Sequence, residues 1–434
     1  MSSYARGEYR EVEQFCGQAL SATEDAALTV RIIHLQLTAT ELWWSLRPAD
    51  SVRALVDMAV RFAEADGASA LRAMARSLEG RLLVATGSLP DAIIAFDEAV
   101  RLGAISGEPL AHLEALAHQG HHTIGRDLNK GRALLTEARR LVDGLDRRRV
   151  SEEPLLAVLR ARLAGLAGVA DFDAGRLGQA ESLLTQSLIE LRAVHAVDHL
   201  ALTSNFLGQL LTATGRFEDG ERVLLQALER LSCIGSLTTY QGYNMALLGK
   251  LHLERGDPDT AARWIHEGWR LVRRHAHGGF VPLVRNYLAE LLMTPGYGRC
   301  DLDQARALLE ETIAECRSSG FQRSEVGALA LRAQADLQAG DAHRAYAAST
   351  AAVQRLETAG SMPALRTEEV YLIHHRVLRA LGSPKSSHWL ERARSVLLNK
   401  SASISDEVHR ASMLRRVRVS RAILDGSEPY AYGG

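Results

Sequence analysis

Cysteine and aromatic residues are both scarce in this 434-residue chain, which has 4 cysteines and only 5% Phe, Trp and Tyr. Cys16, Cys233, Cys300 and Cys316 form no CxxC pair, so no disulfide framework is implied and reduced thiols in a cytoplasmic setting are expected. So few aromatics, with 10 prolines, argue against an all-β domain, which needs aromatic and β-branched strands. An excess of one charge is also missing. Lys and Arg total 51 and Asp and Glu 52, a formal charge of −1, which excludes a bulk polyanion binder. Long apolar runs are absent: stretches such as 68–74 are broken by charge well short of the roughly 18 residues of a membrane span. The opening MSSYARGEYREVEQF carries charges throughout and no apolar core of a signal peptide.

A repeat takes the place of these features. A fourteen-residue phrase with Gly first and Ala-Leu or its like last reads GSLPDAIIAFDEAV from Gly87, GRLGQAESLLTQSL from Gly175 and GRFEDGERVLLQAL from Gly215. It recurs from Gly7, Gly256 and Gly340, and in weaker form from Arg47, Arg126, Cys300 and Gly382, at intervals of 39 to 49 residues. The Gly reads as a left-handed helix cap, followed by a polar turn and a second helix. Small residues at +5 and +12 lie two turns apart on one face of that second helix. A second mark lies seven or eight residues before the cap: Gly80, Gly168, Gly208 and Gly249. Glycine in mid-helix is costly, so a crossing against bare backbone is expected there.

These marks, Leu-Gly in a first helix A, Gly-x-Tyr at the turn and Ala…Ala-Leu in helix B, resemble the tetratricopeptide repeat over essentially the whole chain. The period near 40 departs from the usual 34 and is similar to the sensor regions of bacterial transcription activators and signalling ATPases. The resemblance implies an all-α, right-handed superhelical solenoid of about ten antiparallel helix pairs, one unit over 1–434, acting as a regulatory interaction scaffold. The C-terminal stretch looks like a last pair followed by a capping helix over 401–426. The chain opens on a B helix, as a piece of a longer chain with an N-terminal ATPase module would. The insert LVDGLDRRRVSEEP, 141–154, is a candidate hinge.

A solenoid presents an extended concave surface, which helix A lines in tetratricopeptide proteins. Counting back 13, 10, 6 and 3 residues from each cap selects the groove candidates. They are His34, Glu41, Trp44, Arg81, Phe172, Asn205, Gln209, Tyr243, Lys250, Tyr287, Glu290, Arg376 and Arg379. Amides and Arg at such positions suit an extended peptide or protein segment. A small-molecule effector held among Trp44, Phe172, Tyr243 and Tyr287 is the alternative, and pairing of exposed repeat ends in a homodimer stays open.

Signals for chemistry are thin. Glu114, His118, His121 and His122 recur on one helical face and could hold zinc, though packing at a helix C-terminus explains them as well. His374-His375 stands where other repeats have Leu-Gly, so one of them is expected inside the interface. His266, His275 and His277 near Trp264 and Trp269 read as a helix end. GYNMALLGKL, 242–251, mimics a phosphate loop but lacks Ser or Thr after Lys250 and lies in a helix, so it reads as a packing glycine pair. The basic series Arg410, Arg415, Arg416, Arg418 and Arg421 reads as the polar face of the capping helix, with Val408, Leu414, Val417 and Leu424 on its apolar side. No enzyme, no cofactor, no membrane and no direct nucleic-acid contact are expected.

Overall fold

The computed structural model describes residues 9–41, 44, 47–233, 238–275, 278–359 and 366–426, and among them every regular element is helical. The helices are α1 (Tyr9–Ala22), α2 (Ala26–Ala39), α3 (Ala49–Asp66), α4 (Ser69–Ala85), α5 (Leu89–Ser106), α6 (Pro109–Thr123) and α7 (Leu128–Asp143). They continue as α8 (Arg147–Glu152), α9 (Pro154–Asp173), α10 (Leu177–Ala193), α11 (Val197–Ala213), α12 (Phe217–Cys233), α13 (Thr239–Arg255) and α14 (Pro258–His275). The last are α15 (Phe280–Leu292), α16 (Leu302–Ser319), α17 (Gln322–Gln338), α18 (Ala342–Ala359), α19 (Thr367–Ala380), α20 (Ser386–Ala402), α21 (Glu407–Arg416) and α22 (Arg418–Asp425). None of the described helices is long and apolar enough to cross a membrane.

Each cap glycine that begins a repeat phrase at Gly87, Gly175, Gly215, Gly256, Gly340 and Gly382 has φ between 66° and 87°, the conformation expected of it. Gly7 lies outside the described residues. The mid-helix glycines are crossing points. A Cβ on Gly80 would meet the ring of Phe96 at 2.5 Å, one on Gly168 the Leu184 side chain at 2.9 Å, and one on Gly208 that of Leu224 at 2.6 Å. Gly249 stands in the same way against Ile265, and Gly242 against the Gly268 carbonyl oxygen at 2.8 Å. In the first four pairs the partner is sixteen residues further on, so one A-on-B packing recurs along the chain.

The two helices of a pair have different surroundings. Helix α12, a B helix, buries Phe217, Gly220, Leu224, Ala227 and Leu231, a single stripe at spacings of three and four. Helix α13, an A helix, buries residues all round, from Thr239 and Tyr240 through Asn244 to Leu253 and Glu254. The A helices are covered because the superhelix closes on itself, where an open, elongated groove had been expected. Successive superhelical turns touch. Val12, Cys16 and Ile32 share a core with Val158, Leu191 and Leu200. The Gly278 N–H donates to the Ala85 carbonyl at 3.0 Å, and Phe321 joins the cluster of Val84, Leu89 and Phe96.

The C-terminal segment differs from the expected single cap. Extended backbone at Val417 (φ −74°, ψ 124°) divides it into α21 and α22. It runs back across the turns of earlier repeats. The Leu177 N–H donates to Ser403 Oγ at 2.8 Å, Ser412 Oγ donates to the Gly215 carbonyl at 3.0 Å, and Arg416 makes a two-pronged pair with Glu218 at 2.6 and 2.9 Å. Val408, placed on the apolar side, is exposed, and Arg418, placed on the solvent face, is buried. In the 141–154 insert, Val150 of α8 is buried in the same core as Leu113, Val142 and Leu156, so packing continues across it.

Two glycine-to-alanine variants test the crossing. Gly17→Ala in α1, where nothing lies within 4 Å of the added Cβ, should stabilise by about 0.5–1 kcal/mol. Gly249→Ala should destabilise by about 1–3 kcal/mol through overpacking against Ile265. Denaturant midpoints that move in the same direction for both would refute the packing account.

Candidate functional site

The superhelical interior holds two groups of polar side chains, supplied mainly by neighbouring A helices. In the first, Arg81 of α4 donates from Nη2 to Glu41 at 2.8 Å, from Nη1 to Thr38 at 3.0 Å, and from Nη1 to Glu114 of α6 at 3.3 Å. Its guanidinium carbon lies 5.3 Å from the Trp44 ring centre. The other oxygen of Glu114 is 2.5 Å from His34 Nε2. Burial opposes ionisation of Glu41, but the guanidiniums of Arg81 and Arg162 outweigh it and hold the carboxyl well below the usual range. Both oxygens of Glu114 are therefore engaged, which leaves it unsuited to join His118 and His121 around zinc. Among the described residues no group of three His, Cys, Asp or Glu could hold a metal ion. His118 and His122 instead stack with Phe96, at centroid distances of 5.9 and 5.5 Å.

In the second group, Lys250 of α13 donates to both oxygens of Glu290 of α15, at 2.6 and 2.8 Å, and lies 3.1 Å from Glu254. Arg366 donates to Glu254 at 2.9 Å and to Glu369 at 3.2 Å. The C-terminal segment adds Arg418, 3.8 Å from Glu254 and 3.7 Å from Glu290. Phe172, Gln209, Lys250 and Tyr287 enclose a small cavity of about 50 Å³ beside this cluster.

Between the two lies a larger cavity of about 280 Å³, bounded by helices from both superhelical turns. Glu41, Trp44, Arg81, Asn205 and Tyr243 line it, together with Arg162, His118, His121, His199, Phe206, Tyr240, Phe280, Phe321 and Arg323. Asn205 pairs with the Asn244 amide at 2.6 Å, and Arg323 ion-pairs with Asp173. Gln209 donates to the Tyr243 hydroxyl at 2.9 Å, joining this cavity to the smaller one.

The groove candidates therefore divide. His34, Glu41, Trp44, Arg81, Asn205 and Tyr243 stand around the first group and the large cavity, whereas Phe172, Gln209, Lys250, Tyr287 and Glu290 stand around the second. Trp44 and Tyr243 line the larger cavity and Phe172 and Tyr287 the smaller, although Tyr243 and Tyr287 share one hydrophobic core against which Phe172 packs. Arg376 is buried and Arg379 exposed in the last turn of α19, and neither lines a described cavity. Both His374 and His375 are packed, against Ser349 at 2.9 Å and the Ser386 carbonyl at 2.7 Å. His266 meets the Tyr297 hydroxyl at 3.0 Å, while His277 and the side chain of His275 lie outside the described residues. Counting back thirteen from Gly175 leads to Arg162, a signal in the repeat itself that the candidate set lacks. Glu254, Arg366 and Arg418 have no such signal, because their neighbours come from remote parts of the chain.

No protein-family model matches the sequence, and no curated protein matches it. Among solved structures, a Rap protein complexed with competence and sporulation factor overlays with a TM-score of 0.61 at 12% identity, over 88% of this chain and 100% of that one. The chain has a tetratricopeptide-like repeat fold. Aspartyl phosphate phosphatase F from Bacillus subtilis overlays with a TM-score of 0.49 at 13% identity, covering 83% of this chain and 93% of that one. A signal-transduction ATPase with a tetratricopeptide repeat sensor from Pyrococcus horikoshii gives 0.43 at 14% identity, over 92% of this chain and 55% of that one.

Within this tetratricopeptide-like interior, the Arg81 charge is held by two carboxylates, Glu41 and Glu114. Arg81→Ala would leave Glu41 and Glu114 facing each other in a buried site, at a cost of about 3–5 kcal/mol in unfolding free energy. A loss below about 1 kcal/mol would show the pair to be dispensable.

Acid sensitivity follows from the interior histidines. Burial lowers His118 to about 4 and His121 to about 3, and lowers His122 and His199 as well. An unfolded histidine takes up a proton near pH 6.5, so each of these opposes folding below that pH by about 1.4 kcal/mol per unit, down to its folded value. Asp173, which burial raises to about 7 despite Arg323 and Lys400, acts in the opposite sense but is one group against several. The melting temperature should fall from pH 7 to pH 5, and a flat or rising profile would contradict these assignments.

Proposed function

We propose that this protein is a non-enzymatic regulatory scaffold that binds a peptide or an extended protein segment in the concave interior of its repeats. The observation that carries the reading is the row Phe172, Gln209, Lys250 and Tyr287. Four successive A helices each place one aromatic, amide or charged side chain around the smaller cavity. An extended chain needs this kind of partner, with amides for its backbone, charges for its side chains and rings for its apolar groups. The fold shared with a Rap protein that was crystallised with competence and sporulation factor supports the same reading. A binding role also accounts for the buried carboxylates Glu254 and Glu290, which are held by cations instead of standing free as acids or bases.

Arg418 gives the scaffold two states. It reaches the Glu254–Glu290 pair from the C-terminal segment, so a ligand entering this row competes with it and loosens α21 and α22 from the turns at Gly175 and Gly215. The ligand thereby shifts an equilibrium between docked and released C-termini.

Passing a random heptapeptide library over the immobilised protein tests this. A defined subset should be retained, and a Gln209→Ala, Lys250→Ala double variant should retain it at least about tenfold less well, since a charge-assisted bond is worth about 1.5–3 kcal/mol. If no peptide is retained, or both proteins retain the same set equally, the row is not the binding site.

A further inference from the structure

The larger cavity has a chemistry distinct from the charged row. Most of its wall is apolar or aromatic, with Phe206, Tyr240, Tyr243 and Phe280 on one side. Its volume of about 280 Å³ falls just below the range of small-molecule pockets, about 300 to 1,000 Å³, and so suits a small ligand. It contains donors that the protein does not use. Arg162 lines it, and among the described residues this guanidinium has no hydrogen-bonding or ion-pairing partner. Asn205, 1% exposed, has its Nδ2 buried without a partner, and so does Nδ1 of His121. Leaving the Asn205 and His121 nitrogens unsatisfied inside the protein is expensive, and the partly buried Arg162 guanidinium keeps its donors open to a ligand. Arg81 and Arg323, the other cations lining the cavity, are already paired with carboxylates.

We propose that this cavity binds a small apolar monocarboxylate, its carboxylate on Arg162 and Asn205 and its hydrocarbon or ring among Phe206, Tyr240 and Phe280. A planar guanidinium with free donors matches a carboxylate in two-pronged fashion. Glu41, which lines the cavity beside its partner Arg81, limits the charge of the ligand, because a second negative charge would approach that carboxylate. The aromatic wall selects an apolar body over a sugar or a nucleotide. Because the wall comes from the α2–α3 connection, α4, α5 and α6 as well as from α9, α11, α13, α15 and α17, the ligand would hold the two superhelical turns together. The site stands apart from the peptide reading and can fail without it.

Isothermal titration with octanoate and 3-phenylpropionate, each beside its alcohol (octan-1-ol and 3-phenylpropan-1-ol), tests the assignment. At least one acid should bind, about tenfold or more tightly than its alcohol, as a charge-assisted bond requires. Arg162→Gln should abolish that preference while shifting the melting temperature of the ligand-free protein far less than Arg81→Ala does, since Arg162 has no hydrogen bond or close ion pair to lose and acts on Glu41 only at longer range. Leu202→Trp, which fills the cavity from its wall, should remove binding of acid and alcohol alike. The proposal is overturned if neither acid binds at millimolar concentration, if acid and alcohol bind equally, or if Arg162→Gln binds the acid as tightly as the unaltered protein.

Discussion

The recurrent contact of a bare glycine backbone in helix A with a large side chain in helix B is the constraint on which this architecture depends. Phe96 on Gly80, Leu184 on Gly168, Leu224 on Gly208 and Ile265 on Gly249 occupy space that a Cβ would take, and in each case the intervening chain has the same length. The axes of these pairs can therefore approach closely, and the same crossing recurs in each of them. Repetition of one angle turns a row of hairpins into a superhelix. Here the coil is tight enough for its turns to touch, at Gly278 on Ala85 and at Phe321 on the Val84–Phe96 cluster. Apolar contacts between turns then bury the A helices on all sides, which a single open layer of repeats could not do.

Closure sets the chemistry of the interior. Side chains on an open concave face would be hydrated. In this molecule Arg81, Glu114, Lys250, Glu254 and Glu290 are withdrawn from water and persist because each meets an opposite charge from a neighbouring helix. Such pairs seldom add net stability, since desolvation offsets attraction, but they penalise every arrangement in which the partners are misaligned. The inward-facing charges thus favour one register of the coil. A segment that brings its own charge, as α22 does with Arg418, can be held or displaced within that register. The same burial keeps the interior histidines neutral and makes acid a destabilising condition.

Periodicity alone made much of this legible. The caps at Gly87, Gly175, Gly215, Gly256, Gly340 and Gly382, the crossings and the inward positions of Glu41, Arg81, Asn205, Gln209, Lys250 and Glu290 follow from local rules repeated about every 40 residues. The period even carries the pair Glu41–Arg81, equivalent positions six residues before successive repeat starts, and Lys250–Glu290 spans the same forty residues. Where the local reading departed from the structure, contacts between distant repeats were the cause. Arg379 lies at a helix end that the coil leaves in water, Arg418 is buried because the C-terminus folds back, and Val408 is exposed because α21 docks through Ser412 and Arg416. The sequence by itself determined the helix pairs, their glycine crossings and the side of each A helix that faces inward, because these depend on neighbours within one repeat. Only the tertiary structure decided that the inward side is a closed interior with cavities of unequal size, because coil pitch sums small angles over many repeats and no single repeat records that sum.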